Sequence, residues 1–125
     1  MKEISKEQII KLHTQLVEET GGSVDIRDEG MLDSAVSAPY ASFAGIEPFP
    51  TVIEKASRLG FGLIKNHPFI DGNKRIGAHA LILMLKINGV TIDYDDQDLI
   101  DTILKVADGS FGYEELLAWV KAHIA

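Results

Sequence analysis

The sequence predicts an all-α protein, and three observations carry that reading. Apolar residues recur at helical spacing in separate stretches, among them Ile9 to Val17, Val52 to Ile64 and Leu116 to Val120. Residues that start or stop helices bound these stretches, with Ser5 and Thr51 at beginnings and Gly21-Gly22, Pro68 and Asn88-Gly89 at ends. The run Ala80-Leu-Ile-Leu-Met-Leu85 is apolar on every side of a helix, as expected of a central helix surrounded by others.

Taken in order, Ser5 caps a first helix that carries Ile9, Ile10, Leu12, His13, Leu16 and Val17 and stops at Gly21-Gly22. A loop through Arg27 leads to a short helix at about Glu29 to Ser37. Pro39 to Pro50, with Gly45 and Pro48 between them, reads as irregular and exposed. Thr51 opens a helix with Val52, Ile53, Ala56, Leu59, Leu63 and Ile64 on one face. It stops near Asn66, because Pro68 pushes His67 toward extended angles. The central helix runs from about 73 to 87 and closes at Asn88-Gly89. Thr91-Ile92-Asp93 reads as a short extended piece. Two helices follow, at about Asp96 to Ala107 and Gly112 to His123, the second docking through Leu116, Leu117, Trp119 and Val120. About six helices result, and His123 falls in a fraying last turn.

A chain of 125 residues predicts one domain over 1–125, large enough for a core but too small for two. Apolar residues make up 46% and charged residues 25%, the mix of a soluble globular protein. Without cysteine, neither a disulfide framework nor a thiolate metal site can form. No signal peptide or membrane span is evident, so the expected location is the cytoplasm. A net charge of −7 argues against general nucleic-acid affinity, which needs clustered cations. The charge is uneven, however. From Lys65 to Arg75 stand Lys65, Lys74 and Arg75 against Asp71 alone, a balance that suits a small polyanion.

That segment, Asn66-His-Pro-Phe-Ile-Asp-Gly-Asn-Lys-Arg-Ile76, delivers a histidine onto a tight loop that feeds the start of the central helix. A helix N-terminus offers unpaired N–H groups and a positive dipole end, which favour an anion. Lys74 and Arg75 in the first turn are repelled by that dipole unless a negative group sits opposite. A triphosphate resolves the conflict, and Arg75 can grip two of its oxygens at once. Asp71 supplies the hard oxygen that Mg²⁺ prefers. His67 is the side-chain type that exchanges protons at neutral pH and suits an attacking hydroxyl. Asn73 offers an amide to phosphate or metal-bound water. Each residue also has a plainer reading. Asp71 is a good N-cap, His67 a helix end, Lys74 and Arg75 solvated charges, Gly72 a conformational need and Phe69 a core anchor. It is the concentration within nine residues that points to a phosphate site with a base.

His67-Pro68-Phe69-x-Asp71-Gly72-Asn73-x-Arg75 resembles the signature of the Fic-domain family, and Lys74 resembles its death-on-curing (Doc) branch. Gly21-Gly22, Arg27-Asp28-x-Gly30-Met-Leu, Pro39, Phe43, Pro50-Thr51, Glu54-Lys55, Ala107-Asp-Gly109 and Leu116-x-x-Trp119 are similar to that branch in order and spacing. The resemblance therefore spans nearly the whole chain. It implies a compact Fic/Doc-type helical bundle, with 39–50 as a short flap that holds the target segment. It implies a toxin of a toxin–antitoxin pair that modifies a host protein and arrests translation. His67 would be the general base, Asp71 the Mg²⁺ ligand, and Asn73 and Arg75 phosphate contacts, with Gly72, Lys74 and Lys65 completing the nucleotide site. AMP-transferring members carry a glycine at the position of Lys74. A lysine goes with the reverse nucleotide orientation, in which the ATP γ-phosphate passes to a threonine of elongation factor Tu. The alternatives are AMP transfer to a protein hydroxyl and a catalytically silent module that binds nucleotide or a partner.

Some features depart from that pattern. Ile76-Gly77 replaces a small Thr-Ala pair, and a glycine inside a helix costs roughly 1 kcal/mol against alanine, so close helix packing is expected there. Gly60 and Gly62 weaken the preceding helix in the same way. The only Glu-Gly pair, Glu29-Gly30, has Asp25 at the hydroxyl position of the family's inhibitory Ser/Thr-x-x-x-Glu-Gly/Asn pattern. Restraint is therefore expected from a separate antitoxin, a disordered segment that folds as a helix into a groove. Asp93 to Asp101 does not match a calcium loop, because Gln97 and Asp98 stand at its fifth and sixth positions. His13 reads as a satisfied core histidine, and His79, one turn beyond Arg75, as a packing residue.

Overall fold

The computed structural model describes residues 1–125. It is all-helical: α1 (Lys6–Thr20), α2 (Glu29–Ser37), a one-turn 3-10 helix (Ala38–Tyr40), α3 (Val52–Lys65), α4 (Asn73–Ile87), α5 (Asp96–Asp108) and α6 (Tyr113–Ala122). Local chemistry sets most of these limits. Ser5 accepts from the Gln8 N–H at 3.2 Å while Gln8 Oε1 accepts from the Ser5 N–H at 2.8 Å, so the two residues close the first turn of α1 reciprocally. Asp28, Thr51 and Asp95 cap α2, α3 and α5 in the simpler one-way form. Gly109 ends α5 with φ of 88°, a left-handed turn that costs glycine little.

The α3–α4 pair forms the centre. α3 also packs on α2, α5, α6 and the 3-10 turn, and α4 on α1 and α5. Leu63, Ile76, Leu81, Met84, Leu85, Leu116 and Val120 are buried in this core with Phe69. The glycines that weaken these helices sit where they cross. A Cβ on Gly77 would lie 2.6 Å from Ile64 Cγ1 and 3.0 Å from the Gly60 carbonyl oxygen, and one on Gly60 would lie 3.0 Å from the Gly77 carbonyl oxygen. Close packing is thus the reason for both. It brings the end of α3 against the start of α4 and holds the intervening loop tight.

Residues 38–50 are less irregular than expected. Phe43 and Ile46 exchange backbone hydrogen bonds of 2.9 Å across Ala44-Gly45, whose φ angles of 52° and 80° make a two-residue hairpin turn. Phe43 and Ile46 stand out from the surface, 68% and 71% exposed. The foot of this hairpin is pinned by the buried Lys55, whose Nζ donates to the Phe49 carbonyl oxygen and pairs with Glu47 at 3.2 Å.

The chain's last turn does not fray. His123 stacks on Trp119, donates from Nδ1 to the Trp119 carbonyl oxygen at 2.6 Å and pairs through Nε2 with Asp98 at 3.0 Å. Beyond it Ile124 bridges to Ile92, so the expected extended piece at 91–93 pairs with the terminus, a contact too distant in sequence for local patterning to show. No helix is long and apolar enough to cross a membrane.

Candidate active site

The loop 66–72 joins the two central helices and lies against residues 25–28. Ile26 bridges to Phe69, the Ile70 N–H donates to the Asp25 carbonyl oxygen at 3.1 Å, and the N–H groups of Arg27 and Asp28 both donate to the Pro68 carbonyl oxygen, at 2.7 and 3.0 Å. Phe69 is fully buried and anchors the loop. Pro68 was expected to hold His67 extended; instead His67 adopts φ of 50°, a left-handed conformation rare outside glycine and asparagine. The Arg27 side chain lies across this turn, donating to the carbonyl oxygens of His67 at 2.6 Å and Asn66 at 3.0 Å. The His67 side chain projects from the loop, exposed, into a recess shared with Ile70, Asp71, Lys74 and Ala107.

α4 begins without a side-chain cap. Gly72, at φ of 79°, is its N-cap, and the N–H groups of Gly72, Asn73, Lys74 and Arg75 find no acceptor within the chain. Asp71 does not act as the cap. Its Oδ2 instead accepts from the Ser23 N–H at 2.7 Å, which leaves Oδ1 without a bond from the chain. A helix start with four free donors, where α1, α2, α3 and α5 each begin under a capping side chain, suits an anion.

Lys74 and Arg75 are exposed and form no ion pair. Arg75 Nη1 donates to Thr20 Oγ1 at 2.7 Å, so the end of α1 steadies the guanidinium and leaves its other nitrogens for a ligand. Thr20, Gly21, Asp71 and Arg75 line a second recess on the α1 side, and Lys74 borders both recesses. Lys65 is exposed at the end of α3, beside the Asp108–Gly109 turn.

Asn73 is placed differently from the free amide the sequence offered. It is 5% exposed, Oδ1 accepts from the Phe69 N–H and Nδ2 donates to the Phe69 carbonyl oxygen, each at 2.9 Å. Its side chain holds the loop, and its backbone N–H is one of the four free donors. Patterning also gave no sign of Ser23 and Thr20, which reach Asp71 and Arg75 across 48 and 55 residues.

The stretch that builds the site matches a family model. Residues 3–85, from the start of α1 through nearly all of α4, fit the Fic/DOC family. The chain belongs to the Fic/DOC family. Two relatives agree with that membership. Over 89 residues, 70% of this chain and 68% of the relative, it is 39% identical to Toxin Doc of Mycolicibacterium smegmatis. Over 109 residues, 87% of this chain and 85% of the relative, it is 28% identical to Protein kinase doc of Escherichia phage P1. In this Fic/DOC chain the seven-residue loop, the uncapped helix start and the two free cations lie side by side.

The residues suit the groups the family implies. Four free N–H donors and two unpaired cations fit a polyphosphate. No group of three metal-ligating side chains exists, so a divalent ion would take Asp71 and complete its shell with phosphate oxygens and water, the habit of Mg²⁺ at nucleotides.

Proposed function

We propose that this chain is a toxin with Fic-type protein kinase activity, one that transfers the ATP γ-phosphate to a threonine hydroxyl of elongation factor Tu and so arrests translation. The observation that carries the reading is the uncapped start of α4, with its four free N–H groups flanked by Lys74 and Arg75 and by the exposed His67. Two relatives support it by name, one a toxin and one a protein kinase. The target protein and its threonine rest on the resemblance of the motif.

In this reading the helix start, Lys74 and Arg75 hold the phosphates, Gly72 lets the backbone approach them, and Lys65 adds positive charge at the rim. Asp71 holds Mg²⁺, which neutralises charge on the phosphate oxygens. His67 accepts the proton of the target hydroxyl as its oxygen bonds to the γ-phosphorus and the bond from that phosphorus to the ADP oxygen breaks. Little else is asked of the protein, because phosphoryl transfer depends on alignment and charge stabilisation. The chain acts as one domain in the cytoplasm, restrained by an antitoxin whose disordered segment folds on it as a helix.

The test incubates the protein with Mg²⁺, elongation factor Tu and a cell extract, using ATP labelled at the γ- or the α-phosphate. Label from γ alone supports the kinase; label from α alone overturns it in favour of AMP transfer. ATP binding without transfer indicates a silent module. His67→Ala abolishes transfer and keeps the fold, and retained activity would refute His67 as the base.

A further inference from the structure

His13, on α1, lies beneath the phosphate loop and is fully buried. Its ring stacks on Phe69, with centroids 3.6 Å apart and planes within 10°. Nε2 donates to the Asp71 carbonyl oxygen at 2.7 Å, so the proton sits on Nε2, and Nδ1 is left buried with no partner. For packing alone this is a poor choice. A phenyl ring would fill the same space without an unsatisfied nitrogen. What the imidazole adds is one hydrogen bond.

The acceptor of that bond belongs to the Asp71–Gly72 peptide, which is trans like every other in the chain. The carbonyl and N–H of a trans peptide point to opposite sides. A carbonyl drawn inward to His13 therefore turns the Gly72 N–H outward, among the free donors at the start of α4. The peptide needs such a restraint, because glycine at φ of 79° tolerates either orientation of the peptide before it. The space below is closed as well: a Cβ on Gly72 would lie 3.3 Å from His13 Nε2 and 3.1 Å from Val17 Cγ2.

We propose that His13 is a positioning residue for phosphate binding. Its bond to Asp71 locks the Asp71–Gly72 peptide so that the Gly72 N–H is presented to a phosphate oxygen of the nucleotide. The proposal rests on the nucleotide reading given above, and it assigns to a residue of α1 the aim of a donor on another element.

The experiment compares ¹⁵N-labelled wild type, His13→Phe and His13→Gln, each alone and with Mg²⁺ and a non-hydrolysable ATP analogue. His13→Phe keeps the stacking volume and lacks the donor; His13→Gln brings an amide N–H to the place of Nε2. The expected result is a melting temperature for His13→Phe no lower than wild type, with analogue binding weakened about tenfold, the effect of one misdirected donor to a charged oxygen. The Gly72 amide shift on titration shrinks in His13→Phe and returns in His13→Gln. Equal affinity and equal Gly72 shifts in wild type and His13→Phe overturn the proposal. So does a loss of binding that only follows a fallen melting temperature and that His13→Gln does not restore. If wild type itself binds no analogue, the nucleotide reading fails, and the ligand-free samples still decide on His13. Gly72 amide exchange slower in His13→Phe than in wild type supports the peptide lock, and equal exchange refutes it.

Discussion

The Arg27 guanidinium donates to two successive carbonyl oxygens, those of Asn66 and His67, from a position 40 residues before the histidine. His67 stands at φ of 50°, where a side chain crowds its own backbone, and such conformations persist only when the surroundings hold them. Arg27 is that hold, together with the two N–H groups that grip Pro68. The direction in which the imidazole leaves the loop is therefore set by residues 25–28 together with the motif's own Phe69 and Asn73.

Arg27→Ala frees the turn at Asn66 and His67 without touching the free N–H donors of α4, proposed to hold phosphate. The expected outcome is a fall in kcat of about tenfold or more, the cost of a displaced catalytic group, with KM for ATP changed less than threefold or so. Arg27→Lys recovers little, since one ammonium cannot reproduce the two-pronged contact. Steady-state kinetics on both variants decides; an unchanged kcat would mean that His67 is held without the guanidinium.

Gly77→Ala tests the helix crossing. Alanine gains about 1 kcal/mol in helix propensity. Against that, its Cβ would fall 2.6 Å from Ile64 Cγ1 and 3.0 Å from the Gly60 carbonyl oxygen, so α3 and α4 must part, at the 1–3 kcal/mol or so typical of an overfilled core. A net loss of up to about 2 kcal/mol is expected by urea unfolding. Gly30→Ala is the control. It is helical too, and the nearest neighbour of its Cβ is Asp28 Oδ1 at 3.4 Å, so it should be neutral or stabilising.

These two cases show how far the sequence could be read. Helix limits depend on residues three or four apart, so Ser5 and Thr51 mark them openly. The site motif is legible for the same reason, as nine consecutive residues serve one helix start. Contacts across the fold are hidden from such reading. Gly77 announced close packing, yet only the fold shows Gly60 and Ile64 as its neighbours. Asn73 offered an amide in either direction, and a loop that turns back on itself used both ends of it. Pro68 promised an extended His67, and the clamp from residues 25–28 imposed the opposite turn.

His79 reports on ligand binding through its charge. Partial burial, and then the neighbouring Arg75 cation, hold its imidazole below the ordinary 6.5, with Glu19 pulling the other way. The folded state thus prefers the neutral ring. Its contribution to stability is present above about 6.5 and is lost as pH falls from there through the lowered folded value. Because much of the side chain stays open to solvent, that contribution is small. The sharper measurement is an NMR titration of the ring with and without Mg-ATP. Phosphates lodged against Arg75 offset its charge and move the His79 midpoint upward. A midpoint that stays put on nucleotide saturation would place the phosphates away from Arg75.

Lys74 borders the recess that holds His67, the recess on the α1 side, and an apolar cleft between α4 and α5 formed with Ala78, Ile103 and Leu104. As the side chain common to all three, it is placed to act as a partition between them as well as a charge. Lys74→Gly removes both at once, at a cost of roughly 1 kcal/mol or less of helix propensity in the uncapped first turn. With the partition gone, the three recesses join and a nucleotide can lie either way along the start of α4. The cation lost is solvent-exposed, so ATP affinity should fall only a few-fold. The larger change is in which phosphorus meets His67. Transfer from γ-labelled ATP is expected to drop at least tenfold or so, with label from the α-phosphate appearing on the target where wild type gives none. If Lys74→Gly still transfers only the γ-phosphate at the wild-type rate, nucleotide orientation is set elsewhere, and the weight placed on this lysine is misplaced.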